Sequence, residues 1–139
     1  MCLLQRRFFF AYPVLFPAWL RWFGVVLLTA GIVLLQQAHH HLGKSFHSLV
    51  VSKDDQQLVQ TGPYHYMRHP IYTAYLINYL AGGLISSNIV LTVVPLLMYA
   101  VLVALRLKQE EAVMIGEFGA DYIEYRQHTG ALLPRMRKS

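Results

Sequence analysis

The sequence predicts an all-α integral membrane protein with about three transmembrane helices and room for a fourth, partial one at the N-terminus. Three observations predict it. Hydrophobic residues make up 55% of the 139 positions and charged residues only 14%, against about 25% charged in an ordinary soluble domain. The charges that exist are segregated, since Trp22–Leu35 and Ile89–Leu105 carry none, and Ile71–Leu107 carries only Arg106. In water such stretches need a large protein around them, and this chain is too short to supply it. Finally, Lys and Arg gather at the ends of the apolar runs, as they do beside membrane spans.

The elements follow in chain order within one domain covering 1–139. Residues 1–17 form a ragged apolar start in which Arg6-Arg7 precedes Phe8–Leu20. This imitates a secretory signal, but no small-residue cleavage site follows, and Pro13 and Pro17 interrupt the run. The spans are expected at 18–35, 71–85 and 89–105, each short of the roughly 20 residues needed to cross about 30 Å. Arg21 can snorkel to the interface near the start of the first. Trp19, Trp22, Tyr72 and Tyr75 sit near span ends, where aromatic belts form. Ser86-Ser87-Asn88 is a turn too short for anything but an antiparallel helical hairpin. Pro95 is expected to kink the third helix, because it lacks the donor for the residue four back.

A hairpin places 36–70 and 106–139 on the same side of the membrane. The first contains Lys44, Lys53 and Arg68, and the second Arg106, Lys108, Arg126, Arg135, Arg137 and Lys138. The positive-inside bias assigns that side to the cytoplasm. The compact size points to a bacterial inner membrane, although an endoplasmic-reticulum membrane suits the same physics. The net charge of +5 is not read as a nucleic-acid signal, because the basic residues lie at span ends rather than on one soluble face. The lone Cys2 excludes an intramolecular disulfide and a cysteine-based zinc site.

Almost all side chains capable of chemistry therefore fall in two segments on one membrane face. In Thr61–Tyr72, Gly62-Pro63 marks a turn and Pro70 suits the first position of a helix. Tyr64, Arg68, His69 and Tyr72 are thus delivered to a helix N-terminus, whose free donors and partial positive charge favour a carboxylate. Lipid phosphates for Arg68 and His69, with the tyrosines as interfacial anchors, would explain the same residues. His65 and His69 are four apart, but Pro70 breaks the helix that a metal-binding pair requires. His39-His40-His41 projects in different directions on a helix, so no metal is expected there.

In the second segment, Arg106 and Glu110 are four apart and share a helix face. An exposed pair of this kind is worth little, yet Glu110 and Glu111 together at the edge of hydrocarbon suggest a carboxylate for a cationic ligand. Arg106 is then free to grip an anionic one. Glu117–Tyr125 reads as an amphipathic interfacial helix with a packing role.

Taken in order, Leu42-Gly43, Leu58-Val59, Gly62-Pro63-Tyr64, Arg68-His69-Pro70-x-Tyr72, Arg106-x-x-x-Glu110-Glu111, Phe118-Gly119-x-x-Tyr122-x-x-Tyr125 and Pro134 resemble the isoprenylcysteine carboxyl methyltransferases and the related membrane phospholipid methyltransferases. The resemblance spans about Pro17 to Met136. It implies S-adenosyl-L-methionine as cofactor and a lipidated or lipid methyl acceptor in the bilayer as partner. It places Gln56, Gln57, Leu58 and Val59 along the cofactor, mostly through backbone, and Tyr64 with His69, Pro70, Ile71 and Tyr72 around its methionine part. Glu110 would meet the cofactor's amino group and Arg106 would position the acceptor, making these two the expected catalytic residues. A carboxylate acceptor of the isoprenylcysteine type needs no base. A phospholipid amine has to lose a proton, to Glu111, His65 or a tyrosine.

The sequence departs from the family in carrying Gln56-Gln57 where relatives often show a histidine. It also has only a ragged segment where relatives carry further upstream helices. Two other readings fit parts of the pattern. One is an NADPH-dependent sterol-type reductase, for which the tail offers too little to hold the nucleotide. The other is an inactive, shortened membrane subunit.

Overall fold

The computed structural model describes residues 16–46 and 58–136. Among the described residues four helices carry the fold: α1 (Ala18–Phe46), α2 (Pro70–Ser86), α3 (Ile89–Phe118) and α4 (Ala120–His128), with a 3-10 turn at Gly62–His65 ahead of α2. The start expected over 1–17 lies outside the described residues, apart from Phe16 and Pro17.

The middle helix is the organiser. α1 packs against one side of α2 and α3 against another. α1 runs antiparallel to α2, with Gly24 beside Ala81 and Leu84, and Gly31 beside Asn78. The contact is made by small residues, since Ala74 and Ala81 are fully buried on α2 and Ala38 on α1. Between apolar helices in lipid, packing rather than hydrophobic burial drives association, and small residues let backbones come close. At Gly31 the approach is so tight that an added Cβ would sit 2.0 Å from Asn78 Oδ1.

The hairpin expected from Ser86-Ser87-Asn88 is present, and its chemistry is local. Ser87 takes a left-handed conformation (φ 53°) and its N–H donates to Leu84 O, ending α2. Asn88 then caps α3, its Oδ1 accepting from Val90 N at 2.9 Å and Leu91 N at 3.2 Å, which satisfies two of the donors that a helix start leaves orphaned. One turn further in, Gly83 meets Thr92 backbone to backbone; a Cβ on Gly83 would lie 2.5 Å from Thr92 Cα. Pro70 occupies the first turn of α2, as its missing donor suggests.

Among the described residues two helices, over Ala18–Gly43 and Ile89–Phe118, are long and apolar enough to cross a membrane. Only 11% of each apolar window is buried within the described structure, where the core helix of a water-soluble domain is mostly buried. Trp22, Leu97, Met98 and Leu105 all stand exposed, a surface that suits hydrocarbon. The 17 residues of α2 extend about 26 Å at 1.5 Å per residue.

The helices run past the expected spans at two ends. Hydropathy places the first span at 18–35 and the third at 89–105, but α1 continues to Phe46 and α3 to Phe118. Hydropathy falls where the chain leaves apolar surroundings, whereas a helix ends only where something breaks it. Gln36–Phe46 and Arg106–Phe118 contain no proline and only one glycine each, Gly43 and Gly116, and α3 also runs through Pro95. The stop comes at Gly119, with φ 55°. It divides Glu117–Tyr125, expected as one amphipathic helix, between the end of α3 and the start of α4.

The two adjacent glycines of α2 give a direct test of the hairpin contact. Gly83→Ala forces overpacking against Thr92 and is expected to destabilise the protein by about 1–3 kcal/mol. At Gly82 an added Cβ would meet nothing within 4 Å, so this position is expected to tolerate Ala or gain up to about 1 kcal/mol from helix propensity. Thermal unfolding of both variants in detergent measures the difference.

Candidate active site

The polar end of the bundle is assembled from three pieces: the segment 61–69 before α2, the end of α3, and α4 with the residues that follow it. Gly62 opens the first piece with φ +60°, and a Cβ there would lie 2.4 Å from the His41 ring. His41 Nδ1 lies 3.1 Å from Thr61 Oγ1, tying the turn to α1. His41 of the His39–His41 tract thus serves this turn, and His39 serves the helix, its Nδ1 lying 2.9 Å from Leu35 O. Among the described residues no three His, Cys, Asp or Glu side chains are grouped to hold a metal.

The residues after α4 lie alongside 66–69 and fasten them. Arg68 N donates to Gly130 O at 2.8 Å and His69 N to Ala131 O at 3.1 Å, while Gly130 N and Arg135 N both donate to Tyr66 O. Thr73 Oγ1 on α2 adds a bond of 2.6 Å to Leu132 O. Gly130 is required in this strap, because a Cβ would meet Leu133 O at 1.9 Å.

At the centre stands Glu111, buried on α3. Arg68 Nε donates to its Oε1 at 2.7 Å, and Arg126 Nε lies 3.6 Å from its Oε2. The same Arg68 donates from Nη1 to Thr129 O at 2.6 Å and to Arg126 O at 3.2 Å. One carboxylate and one guanidinium therefore join α3, the segment before α2, and the end of α4. Tyr122 and Tyr125 fill the space beneath, both buried, and the Tyr125 hydroxyl donates to Tyr64 O.

Its neighbour Glu110 faces elsewhere, because successive residues on a helix are turned by about 100°. The Tyr72 hydroxyl donates to Glu110 Oε1. Arg106 Nε lies 3.9 Å from the same oxygen, and His69 Nδ1 lies 3.8 Å from Oε2. The side chains of Glu110 and Arg106 remain 39% and 62% exposed, so this pair forms the open side of the cluster. Two adjacent carboxylates thus divide between a buried strut and an accessible acceptor.

His69 lies between them. Burial pushes its pKa below the ordinary histidine range, outweighing the upward pull of Glu111 and then Glu110. At neutral pH the ring is uncharged, so its approaches to the two glutamates are not ion pairs. Its Nε2 is buried without a hydrogen-bond partner, 3.5 Å from Glu111 Oε1. Burial also pushes Tyr64 up to about 12 and Tyr125 higher still, so both phenols keep their protons.

Behind Tyr125 lies a cavity of about 240 Å³ lined by Leu58, Gln60, His65, Asp121, Glu124, Tyr125, His128 and Thr129. Thr129 and Tyr125 are shared between the cavity wall and the Arg68–Glu111 cluster.

The structure brings together His69, Tyr72, Arg106 and Glu110 from the expected set, with Pro70 buried behind them and Ile71 half-buried. Tyr64 is buried against Tyr125, and Leu58 lies on the cavity wall rather than in the charged cluster. Val59 is half-buried next to it. Gln56 and Gln57 lie outside the described residues. Sequence reasoning missed the partnership of Arg68 with Glu111, the role of Arg126, and the strap from Thr129 to Arg135. The adjacency of two glutamates was the one available signal for the first, since neighbours on a helix are turned by about 100° and point to different surroundings.

Removing one member of a buried ion pair leaves the other uncompensated, at a cost of about 3–5 kcal/mol. Glu111→Gln is therefore expected to lower thermal stability in detergent by that amount. The double variant Arg68→Met, Glu111→Leu is expected to recover part of the loss. His69 adds a pH dependence whose sign is set by its depressed pKa. The unfolded chain takes up the proton first, so stability present above the ordinary histidine pKa near 6.5 is lost as pH falls through the lower folded value. Unfolding midpoints measured from pH 7.5 to 5 check this, with His69→Gln expected to flatten the profile.

Comparison with known proteins places this geometry among its relatives. Residues 22–116 match the isoprenylcysteine carboxyl methyltransferase family. The protein-S-isoprenylcysteine O-methyltransferase of Schizosaccharomyces pombe is 33% identical over 109 residues, covering 77% of this chain and 46% of that protein. The cobalt-zinc-cadmium resistance protein CzcN of Cupriavidus metallidurans is 28% identical over 116 residues, covering 83% of this chain and 52% of CzcN. The solved structure of a eukaryotic intramembrane Ras methyltransferase, an isoprenylcysteine carboxyl methyltransferase, superposes with a TM-score of 0.76 at 28% identity, covering 91% of this chain and 48% of that one. The chain spans about half the length of these relatives. The helical bundle, its charged cap and the match over 22–116 together show that the chain belongs to the isoprenylcysteine carboxyl methyltransferase family.

Proposed function

We propose that the protein is an integral membrane methyltransferase that uses S-adenosyl-L-methionine to methylate the carboxylate of a lipidated, isoprenylcysteine-type acceptor. The observation that carries the reading is the open Arg106–Glu110 pair at the mouth of α2, beside a buried, uncharged His69. In this reading α1, α2 and α3 all span the bilayer, and 36–70 with 106–139 face the cytoplasm, in a bacterial inner membrane.

The residues fit a zwitterionic methionine tail. Glu110 supplies a carboxylate for its ammonium group. The start of α2 at Pro70–Tyr72 supplies a helix N-terminus for its carboxylate. The orphaned Nε2 of His69 offers a further polar contact, and Tyr64 packs behind. Leu58 and Val59 would lie along the adenosine part, Leu58 from the wall of the cavity. The bound cofactor supplies a methyl group already activated on a sulfonium. The protein's own work is then alignment and exclusion of water. Arg106 orients the acceptor carboxylate, and Glu110 balances the guanidinium charge so that the nucleophile is not over-stabilised.

A carboxylate acceptor is favoured over an amine, because the imidazole nearest the open pair, the uncharged His69, keeps its unpartnered Nε2 buried. Both oxygens of Glu111 approach guanidinium groups, Tyr64 holds its proton, and His65 lies on the cavity rather than in the open cluster. A carboxylate needs none of them, because it has no proton to lose.

Titration of the detergent-solubilised protein with S-adenosylhomocysteine tests the cofactor site. Glu110→Ala is expected to weaken binding at least tenfold, while Arg106→Ala leaves it unchanged and raises KM for the acceptor about tenfold. A folded wild-type protein that does not bind overturns the reading for this chain acting alone.

A further inference from the structure

The end of the bundle opposite the polar cap holds a charge that methyl transfer does not use. α1 meets α2 at Gly24, where an added Cβ would lie 3.1 Å from Ile85 Cγ1. α2 ends at Ser86, so the start of α1, from Ala18 to Phe23, runs on past it by about one and a half turns. A groove of about 300 Å³ opens there, lined by Ala18, Arg21, Trp22, Val25 and Ile85. The four residues of α1 recur three or four positions apart, which puts them on one helix face. The walls are apolar apart from one guanidinium and one indole N–H.

Arg21 is exposed, as are Trp19 and Trp22. Among the described residues no carboxylate pairs with it. The rest of the sequence supplies none at that end. Residues 1–15 contain no Asp or Glu, Asp54 and Asp55 come just before Leu58 in sequence, and every other acidic residue follows Arg106. Leu58 lies at the polar cap, on the wall of the cavity behind Tyr125. From Arg21 to His41, whose ring ties α1 to that cap, is a rise of about 30 Å along the helix. That is one hydrocarbon thickness, so Arg21 and the acids stand at opposite membrane surfaces. Arg21 is thus a cation that the chain does not neutralise, beside an apolar groove at headgroup depth.

We infer that this groove binds an anionic phospholipid of the leaflet opposite the polar cap, its phosphate at Arg21 and one acyl chain against Val25 and Ile85. Charge complementarity selects the occupant. A phosphodiester with no ammonium of its own brings the negative charge that Arg21 lacks, and a guanidinium grips phosphate oxygens in two-pronged fashion. A zwitterionic lipid already carries an ammonium and gains less. Trp22 offers an apolar body to the chain and an N–H to the headgroup, the combination that suits tryptophan to membrane interfaces. The acyl chain lengthens the contact between α1 and α2 beyond Gly24. The site is separate from the Arg106–Glu110 mouth and does not depend on which acceptor is methylated.

The test is native mass spectrometry of the full chain, released from detergent micelles with added phosphatidylglycerol or phosphatidylcholine. One phosphatidylglycerol is expected to be retained in preference to phosphatidylcholine. Arg21→Gln is expected to weaken that retention about fivefold, the contribution of one cation at a membrane surface, while Arg21→Lys keeps most of it. Lys108→Gln, exposed at the polar end, leaves it unchanged. Ile85→Trp fills the groove with the charge intact and is expected to expel the lipid, with circular dichroism showing that the helices remain. Equal retention of the two lipids overturns the site, as does undiminished phosphatidylglycerol on Arg21→Gln or on a folded Ile85→Trp. Thermal unfolding separates the sources of phosphate. Phosphatidylglycerol is expected to raise the midpoint of the wild type but not of Arg21→Gln, and an equal rise with inorganic phosphate alone contradicts a lipid site. A dimer that buries the groove and retains no lipid overturns it too.

Discussion

The buried pair between Arg68 and Glu111 is the contact on which the polar half of this molecule depends. Charges taken out of water are costly unless geometry and further hydrogen bonds compensate them. Here they are compensated: Arg68 has a carboxylate and two carbonyl oxygens, and Glu111 has a second guanidinium from Arg126 nearby. Neither residue belongs to the same piece of chain as the other, being separated by 43 positions. Their meeting fixes where the end of α3 lies relative to the start of α2. The open pair of Glu110 and Arg106 inherits its position from that registration.

The apolar half obeys a different constraint. There the helices associate through small residues, at Gly24 and Gly31 on one side of α2 and Gly83 on another, as expected where lipid removes the hydrophobic incentive to pack. α2 serves both halves. Its start brings His69, Pro70 and Tyr72 to the polar cluster, and Tyr75 and Tyr79 lie further along it beside Tyr99. The proposed chemistry joins a water-soluble cofactor to a lipid acceptor, and α2 offers it a polar mouth and an apolar flank.

Features governed by neighbouring residues were legible in the sequence. Ser86-Ser87-Asn88 announces the hairpin because a left-handed residue and an Asn cap are local devices. Pro70 announces a helix start, and the spacing of Arg106 and Glu110 announces a shared face. The limits of α1 and α3 were less legible, because a hydropathy boundary is not a helix boundary. The strap from Thr129 to Arg135 was not legible at all. Most of its bonds are backbone to backbone, and the side chains of Arg68 and Thr73 that add to them reach carbonyl oxygens about 60 positions away, which no local spacing announces. The pairing of Glu111 rather than Glu110 with Arg68 likewise depends on the rotation of α3 about its axis.

If one carboxylate holds the polar cap together, its loss should loosen all the joined pieces at once. Amide hydrogen exchange in nanodiscs, comparing the wild type with Glu111→Gln, measures this most directly. The account predicts that protection falls together at Arg68, His69 and Gly130, whose amides bond across the strap, while the interiors of α1 and α2 keep theirs. Unchanged protection across 66–69 and 130–135 in a folded variant would contradict it, and would make Glu111 a bystander to an assembly held by the backbone alone.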